Sequence, residues 1–163
     1  MIVRSMLRGV RFGVDVGSVR IGVAKCDPDG MLATPLETIA AGETAIPKII
    51  DLVMEHAPIA VYVGNPLSLN GQVTQSTIEA SEFALALVSA ISSHPEIGEI
   101  EVRLIDERLS TVSAQRGLHE VGRTQKSSRE VIDQAAAIII LEHALESEKR
   151  QGDFAGKEVV VEK

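Results

Sequence analysis

Residues 10–25 read VRFGVDVGSVRIGVAK, and this stretch decides the fold class of the chain. Residues 10–16 and 19–25 are rich in valine and other β-forming residues, which is typical of strands. Gly17 and Ser18 between them are turn formers. The stretch therefore predicts two antiparallel strands joined by a tight turn.

A third strand extends this hairpin. The run Asp27-Pro28-Asp29-Gly30 is a strong turn signal, because each of its residues favours turn geometry. Residues 31–39, MLATPLETI, then read as a strand. Pro35 restricts this strand to a sheet edge or an irregular stretch, since proline lacks a backbone N–H. The N-terminal part of the chain therefore predicts a three-stranded antiparallel meander.

The rest of the chain alternates between helical spacing and short apolar runs. The predicted elements are helix 43–56, strand 59–63, helix 76–92, strand 100–105, helix 110–121 and helix 128–147. Ser127 and Glu130 form a capping box that starts the last helix. This order predicts an α/β fold with a five-stranded mixed sheet and helices on both faces. The meander is antiparallel, and the first, fourth and fifth strands are parallel.

Length and composition fit one domain. The chain has 163 residues, 45% of them hydrophobic, and a single domain usually has about 100–150 residues. We expect a flexible arm over 1–9, one domain over 10–147 and a loosely ordered tail over 148–163. No apolar stretch approaches the roughly 20 residues that span a bilayer, and the N-terminus has no signal-peptide pattern. We therefore expect a soluble cytoplasmic protein with no membrane partner.

The net charge of −7 argues against broad, nonspecific coating of nucleic acid, which requires a basic surface. The segment from Arg108 to Arg129 differs, because five of its six charged residues are basic. These five are Arg108, Arg116, Arg123, Lys126 and Arg129, and we predict that they bind nucleic acid. Aromatic residues make up only 2% of the chain, so base stacking has few platforms and the contacts should be mainly to phosphates.

Two other interpretations of the basic residues stay open. The same composition would suit a solvated helix face and loop that bind nothing. The N-terminal arm also carries Arg4, Arg8 and Arg11, which are an alternative basic surface.

Several acidic residues stand where apolar neighbours would bury them. Asp15 interrupts the first strand near its end, Asp106 and Glu107 follow strand 100–105, and Asp133 lies early in an almost wholly apolar helix. The carboxyl ends of neighbouring strands in an α/β sheet meet at one crevice, and the start of a packed helix can lean over it. We therefore predict that Asp15, Glu107 and Asp133 form a catalytic cluster.

Three carboxylates in one crevice repel each other unless cations lie between them. Mg²⁺ or Mn²⁺ is the fitting cofactor, because hard ions take oxygen ligands. Such ions can activate water and stabilise the leaving oxygen of a phosphodiester. Each acid also has a structural explanation. Asp15 could form the turn, Asp133 could compensate the helix dipole, and Glu107 could pair with Arg108.

Three segments together resemble the YqgF family, also called RuvX. They are FGVDVGSVRIGVA at 12–24, LIDERLSTVSAQ at 104–115 and VIDQAAAIIILE at 131–142. The resemblance covers about residues 10–146, and it implies a ribonuclease-H-like fold and nuclease activity. The substrates it implies are the 5′ end of pre-16S ribosomal RNA or branched DNA of the Holliday-junction type.

The family resemblance also implies the same site residues. The acid of the first strand matches Asp15, the acid after the fifth strand matches Glu107, and the acid of the final helix matches Asp133. Related resolvases carry a further acid at the end of the fourth strand, where this chain reads Val63-Gly64-Asn65-Pro66. Glu107 is then expected to supply that ligand, which leaves the number of metal ions open.

Four functions follow from these patterns. The first is a nuclease for structured RNA in ribosome maturation, and the second is a junction resolvase, which would be a homodimer because it cuts two strands symmetrically. A third is a noncatalytic nucleic-acid-binding module. Asp15-Val16-Gly17-Ser18 also resembles the first phosphate loop of actin-like ATPases, but those proteins need two such domains, and this chain has room for one.

Overall fold

The computed structural model describes residues 7–66, 70–106 and 125–160, and in the last range it describes side chains from 134 onward. These residues form β1 (Arg11–Val16), β2 (Arg20–Cys26), β3 (Ala33–Ala40), α1 (Ala45–His56), β4 (Ala60–Asn65), α2 (Gln75–Ser92), β5 (Glu101–Asp106), α3 (Gln125–Gln151) and β6 (Lys157–Glu158). The predicted helix 110–121 lies outside the described residues.

The strands form one mixed sheet in the order β3-β2-β1-β4-β5-β6. β1, β2 and β3 are antiparallel neighbours, while β1, β4 and β5 are parallel. This confirms the predicted meander and the predicted parallel half. Pro35 lies in the edge strand β3, as its missing N–H requires, and the pairing with β2 shifts register between Val23 and Ala24.

Helices cover both faces of the sheet. α1 and α2 pack on one face over the first core, which includes Phe12, Val14, Ile49, Val63 and Leu87. α3 packs on the opposite face over the second core, which includes Ala24, Tyr62, Ala137, Leu141 and Ala144. Alternate residues of β1 and β4 therefore serve different cores, which is the period-two pattern of a sheet that is buried on both faces.

Local backbone and side-chain contacts mark where α1 ends and where α2 begins. α1 ends at His56, and Ala57 follows in the left-handed region with φ 48°, where its N–H bonds the carbonyl of Val53. α2 begins after Thr74, whose side chain accepts from the N–H of Thr77, while the Thr77 side chain accepts from the N–H of Thr74. This reciprocal capping satisfies two amide groups that the helix leaves unpaired.

The sheet has a sixth strand, so the prediction of five strands was wrong. β6 pairs antiparallel with β5, where Glu158 lies opposite Arg103. Arg103 also holds the segment before β6, because its Nε and Nη2 donate to the carbonyls of Ala155 and Gly156 at 2.5 and 3.0 Å. A strand of two polar residues has no alternating pattern from which it could be predicted.

The C-terminal region also differs from the predicted loose tail over 148–163. α3 begins at Gln125, so the predicted cap Ser127 lies inside the helix, and α3 continues to Gln151. Glu148 is 2% exposed and Ala155 is 1% exposed. The described part of this region is therefore packed against the domain.

In residues 7–66, 70–106 and 125–160, no helix combines the length and the apolar character that a membrane crossing demands.

Candidate active site

The candidate site lies at the edge where the parallel strands β1, β4 and β5 end. Val14 of β1 pairs with Val63 of β4, and the next pair along β4 and β5 is Gly64 with Ile105. Asp15 follows Val14 at this end of β1, and on its other side it lies opposite Gly22 of β2. The neighbours Gly22 and Gly64 therefore present no side chain next to the half-buried Asp15.

Alternation along β1 places Asp15 on the face that α3 covers. Phe12 and Val14 belong to the first core, under α1 and α2. Gly13 faces α3, since a Cβ added there would lie 2.6 Å from the carbonyl oxygen of Ala137 and 2.7 Å from Cβ of Leu141. Asp15 is two residues beyond Gly13 and shares its face.

The contacts between β1 and α3 establish the direction in which α3 runs. Arg11 bonds Glu148, and Gly13 touches Ala137 and Leu141, so α3 runs antiparallel to β1. Asp133 lies one helical turn before Ala137, which is about 6 Å along the axis. Asp15 lies about 7 Å beyond Gly13 in the same direction. The direction of α3 therefore leads residue 133 toward the end of the sheet at which Asp15 lies.

Asp106 lies on the opposite face of the sheet from Asp15. It alternates with Val102 and Leu104, which pack in or against the first core under α1 and α2. Its partner across the pair of strands is Asn65 at the end of β4. The Oδ1 atom of Asn65 is buried and has no hydrogen-bond partner among the described residues.

The side chains of the other two acids in the predicted cluster lie outside the described set. Glu107 lies outside the described residues. Asp133 lies in α3, but its side chain is outside the described set. Among the side chains that the structure describes, no three carboxylate, imidazole or thiol groups lie close enough to hold a metal ion.

The side chains of the five basic residues predicted to bind phosphates also lie outside the described set. Arg108, Arg116 and Arg123 lie outside the described residues. Lys126 and Arg129 are in the first turns of α3, and only their backbone is described. These positions put Lys126 and Arg129 on the segment of α3 that precedes Asp133.

One arginine of the alternative basic surface, on the N-terminal arm, is buried. Arg11 is fully buried and its guanidinium bonds Glu148, so it is not available to phosphates. Arg8 is exposed and pairs with Asp29 at 3.1 Å. Arg4 lies outside the described residues.

Curated relatives match nearly the whole chain. A protein of Streptomyces avermitilis named "Putative pre-16S rRNA nuclease" is 47% identical over 158 residues, which cover 96% of this chain and 97% of that protein. A protein of Clavibacter sepedonicus with the same name is 47% identical over 151 residues, which cover 91% and 89% of the two chains.

Solved structures share the fold at low sequence identity. The structure of Thermus thermophilus RuvC is 18% identical with a TM-score of 0.53, over 92% of this chain and 99% of that one. The same protein in complex with a Holliday junction substrate is 16% identical with a TM-score of 0.58, over 93% and 99%. These likenesses support a ribonuclease-H-like fold.

The sequence model of one family, described as "RuvX: Holliday junction resolvase", matches residues 9–147. The match includes β1 with Asp15, the 106–108 segment and the part of α3 that holds Asp133, which are the segments on which the site was predicted. The chain belongs to the RuvX family.

Proposed function

We propose that this chain is a divalent-metal-dependent nuclease that matures the 5′ end of pre-16S ribosomal RNA. Membership of a resolvase-like family supports phosphodiester hydrolysis, and relatives of almost the same length carry the name of a pre-16S rRNA nuclease. A role in ribosome maturation would put the protein in the cytoplasm.

One observation carries the proposal. Gly13 lets α3 pack closely on β1, and the antiparallel direction of α3 leads residue 133 toward the end of the sheet at which Asp15 lies. Asp15 is half-buried, and a carboxylate that leaves water beside a second carboxylate is costly without a cation. The close contact of β1 and α3 therefore supports Asp15 and Asp133 as ligands of one site.

The chemistry of the site fits Mg²⁺ or Mn²⁺. The proposed ligands Asp15, Glu107 and Asp133 offer only carboxylate oxygens, and such hard ions prefer oxygen. Gly22 and Gly64, next to Asp15 on the neighbouring strands, carry no side chain that would compete with an ion for its carboxylate. When bound, the metal would activate a water and stabilise the leaving oxygen of the phosphodiester. The protein holds its carboxylates at the sheet edge and positions the nucleic-acid backbone.

The third ligand is proposed as Glu107 rather than Asp106. Asp106 is on the face of α1 and α2, away from Asp15. Successive residues of a strand point to opposite faces, so continued alternation would assign Glu107 to the face of Asp15.

Basic residues are proposed to hold the phosphates that flank the cleaved bond. Arg123 and Lys126 are the leading candidates, together with Arg108 and Arg129, because these residues lie between Glu107 and Asp133 in the sequence. Arg116 is the fifth candidate and could instead pair within its own helix. Contacts of this kind are independent of sequence and depend strongly on salt.

A second candidate function is the resolution of branched DNA. The printed description of the matching family favours it. This activity requires two active sites related by a twofold axis, so it predicts a homodimer.

A parallel cleavage assay separates the two functions. The purified chain would be incubated with pre-16S RNA and with a four-way DNA junction, each with Mg²⁺, with Mn²⁺ and with chelator. We expect metal-dependent cleavage at the 5′ precursor segment of the RNA and little cleavage of the junction. Symmetric cuts in the junction by a dimer, with intact RNA, would favour the second function. Metal-independent cleavage of the RNA would contradict the proposed chemistry.

A further inference from the structure

A buried ion pair joins the start of β1 to the end of α3. Arg11 is fully buried, and Glu148 is 2% exposed. The guanidinium donates two hydrogen bonds to the carboxylate, from Nη2 to Oε1 at 2.8 Å and from Nε to Oε2 at 3.2 Å. Its remaining donors reach the carbonyls of Gly9 and Leu7, both at 2.6 Å. Every nitrogen of the Arg11 side chain therefore has a partner.

Tyr62 of β4 completes this group. Its hydroxyl donates to Oε2 of Glu148 at 2.5 Å and accepts from the backbone N–H of Ala155 at 3.2 Å. Burial and the bond to Glu148 both raise the pKa of the Tyr62 phenol, so the hydroxyl stays protonated and acts as a donor. Glu148 is thus held by two strands of the sheet at once.

Stability alone is a weak explanation for this arrangement. A buried ion pair loses so much hydration that apolar residues of the same volume often serve equally well. Its distinctive property is geometric, since a two-bond arginine–carboxylate contact fixes both distance and direction. Apolar packing has no such directionality.

The rest of the described contact between α3 and β1 is apolar packing without directional bonds. The helix presents the small or flexible apolar residues Ala137, Leu141 and Ala144 to this face, and β1 presents Gly13. The Arg11–Glu148 pair adds a directional polar contact between the two elements. It lies on the same strand face as Asp15 and on the same helix as Asp133.

We propose that Arg11, Glu148 and Tyr62 form a clamp that sets the axial position of α3 on β1 and thereby positions Asp133 relative to Asp15. This inference rests on the proposed function, in which those two acids share a metal ion. The clamp residues are positioning residues, because Arg11 begins β1 while Asp15 lies near its end, and none of the three belongs to the proposed metal ligands.

The test compares clamp variants with a variant that destabilises the other core. The clamp variants are Glu148→Gln and Tyr62→Phe, each of which removes one charge or one hydroxyl with little change of volume. Leu87→Ala is the matched control, since Leu87 is fully buried in the first core, away from α3. Mn²⁺ affinity, kcat and KM would be measured with the full chain at temperatures that give each variant the same folded fraction.

We expect both clamp variants to lose about tenfold in Mn²⁺ affinity and in kcat, the lower end of the effect of residues that orient metal ligands. KM should stay the same, because the proposed phosphate contacts are elsewhere. Tyr62→Phe is the milder change and keeps the inference testable if Glu148→Gln fails to fold. The Leu87→Ala control should keep its Mn²⁺ affinity.

Two results separate the clamp from the proposed function. If the unmodified protein binds Mn²⁺ through Asp15 but the clamp variants match the Leu87→Ala control, the clamp is wrong and the function stands. If Asp15→Asn leaves Mn²⁺ binding unchanged in the unmodified background, the proposed metal site itself is wrong.

Discussion

Replacing Gly13 by alanine tests the contact that brings α3 to the end of β1. The added Cβ would lie 2.6 Å from the Ala137 carbonyl oxygen and 2.7 Å from Cβ of Leu141, whereas ordinary contact begins at 3.4 Å. Both neighbours are held by the helix backbone and have no rotamer that would move them away. Relief therefore requires α3 to shift from the sheet by about 0.8 Å, judged from ordinary contact distances.

The expected loss of stability is moderate. Inserting a methyl group into a packed interior costs about 1–3 kcal/mol. For a chain of this size, each kcal/mol lowers the melting temperature by about 2–4 °C, so Gly13→Ala should melt roughly 2–12 °C lower. Most of the protein should therefore stay folded at assay temperature.

The expected loss of activity is larger than the loss of stability. Metal sites tolerate displacements of about 0.2 Å, and a misplacement of about 1 Å can cost roughly 100-fold in rate. Calorimetry with Mn²⁺ and cleavage of pre-16S RNA should both show losses of about tenfold or more for Gly13→Ala, again on that scale. Gly98→Ala is the control, because a Cβ there meets no atom within 4 Å.

Two outcomes would decide this prediction. If Gly98→Ala behaves as the unmodified protein while Gly13→Ala folds but binds Mn²⁺ weakly, the approach of α3 to β1 positions the site. A folded Gly13→Ala protein with unchanged Mn²⁺ affinity and cleavage would refute the argument that this contact positions Asp133.

Three further predictions address the substrate, the choice of ligand and the pH dependence. Arg123→Ala with Lys126→Ala should flatten the salt dependence of RNA binding by about two units in a titration with Ca²⁺ in place of Mg²⁺, and an unchanged slope would put the RNA elsewhere. Glu107→Gln should abolish cleavage while Asp106→Asn retains most of it, and equal losses in the same assay would mean that the wrong acid of the pair was chosen. The backbone N–H groups of Leu32 and Met31 lower the pKa of Asp27 below its usual value, so its ionised form stabilises the folded state at neutral pH. This advantage of the unmodified protein over Asp27→Asn should disappear in melting curves as the pH falls below about 4 and then through the lowered pKa, and a difference that is independent of pH would contradict it.

Most of the fold follows from local sequence patterns. The runs of valine around Asp15 and the turn at Asp27-Pro28-Asp29-Gly30 suffice for the meander, and Pro35 correctly assigns the third strand to an edge. The short strand β6 gives no such signal, because its two polar residues have no alternating pattern, and the segment before it is bonded to Arg103 of β5. The sixth strand therefore depends on a tertiary contact.

The start of α3 and the role of Arg11 were also not evident from the sequence pattern. The Ser127 and Glu130 pattern indicates a helix start, yet the helix already begins at Gln125. In the sequence, Arg11 looks like one of several basic residues in an exposed arm. Its partner Glu148 is 137 residues away along the chain, and only the packing of α3 on β1 brings the two together.

The candidate site could be predicted in part. The position of Asp15 near the end of a strand was evident from its apolar neighbours, and the structure confirms that it lies at the carboxyl end of β1. The face on which it lies depends on Gly13 and Ala137, whose contact cannot be inferred from spacing. The contributions of Glu107 and Asp133 stay predictions.

The most direct test of the account is a Mn²⁺ titration of Asp15→Asn, Asp133→Asn and the double variant, followed by calorimetry at fixed salt and pH. If both carboxylates bind the same ion, each single variant should lose most of the affinity, and the double variant should lose far less than the sum of the two effects, because ligands of one site are strongly coupled. Mn²⁺ affinity that is unchanged in Asp133→Asn, or losses that simply add, would contradict a shared site between β1 and α3.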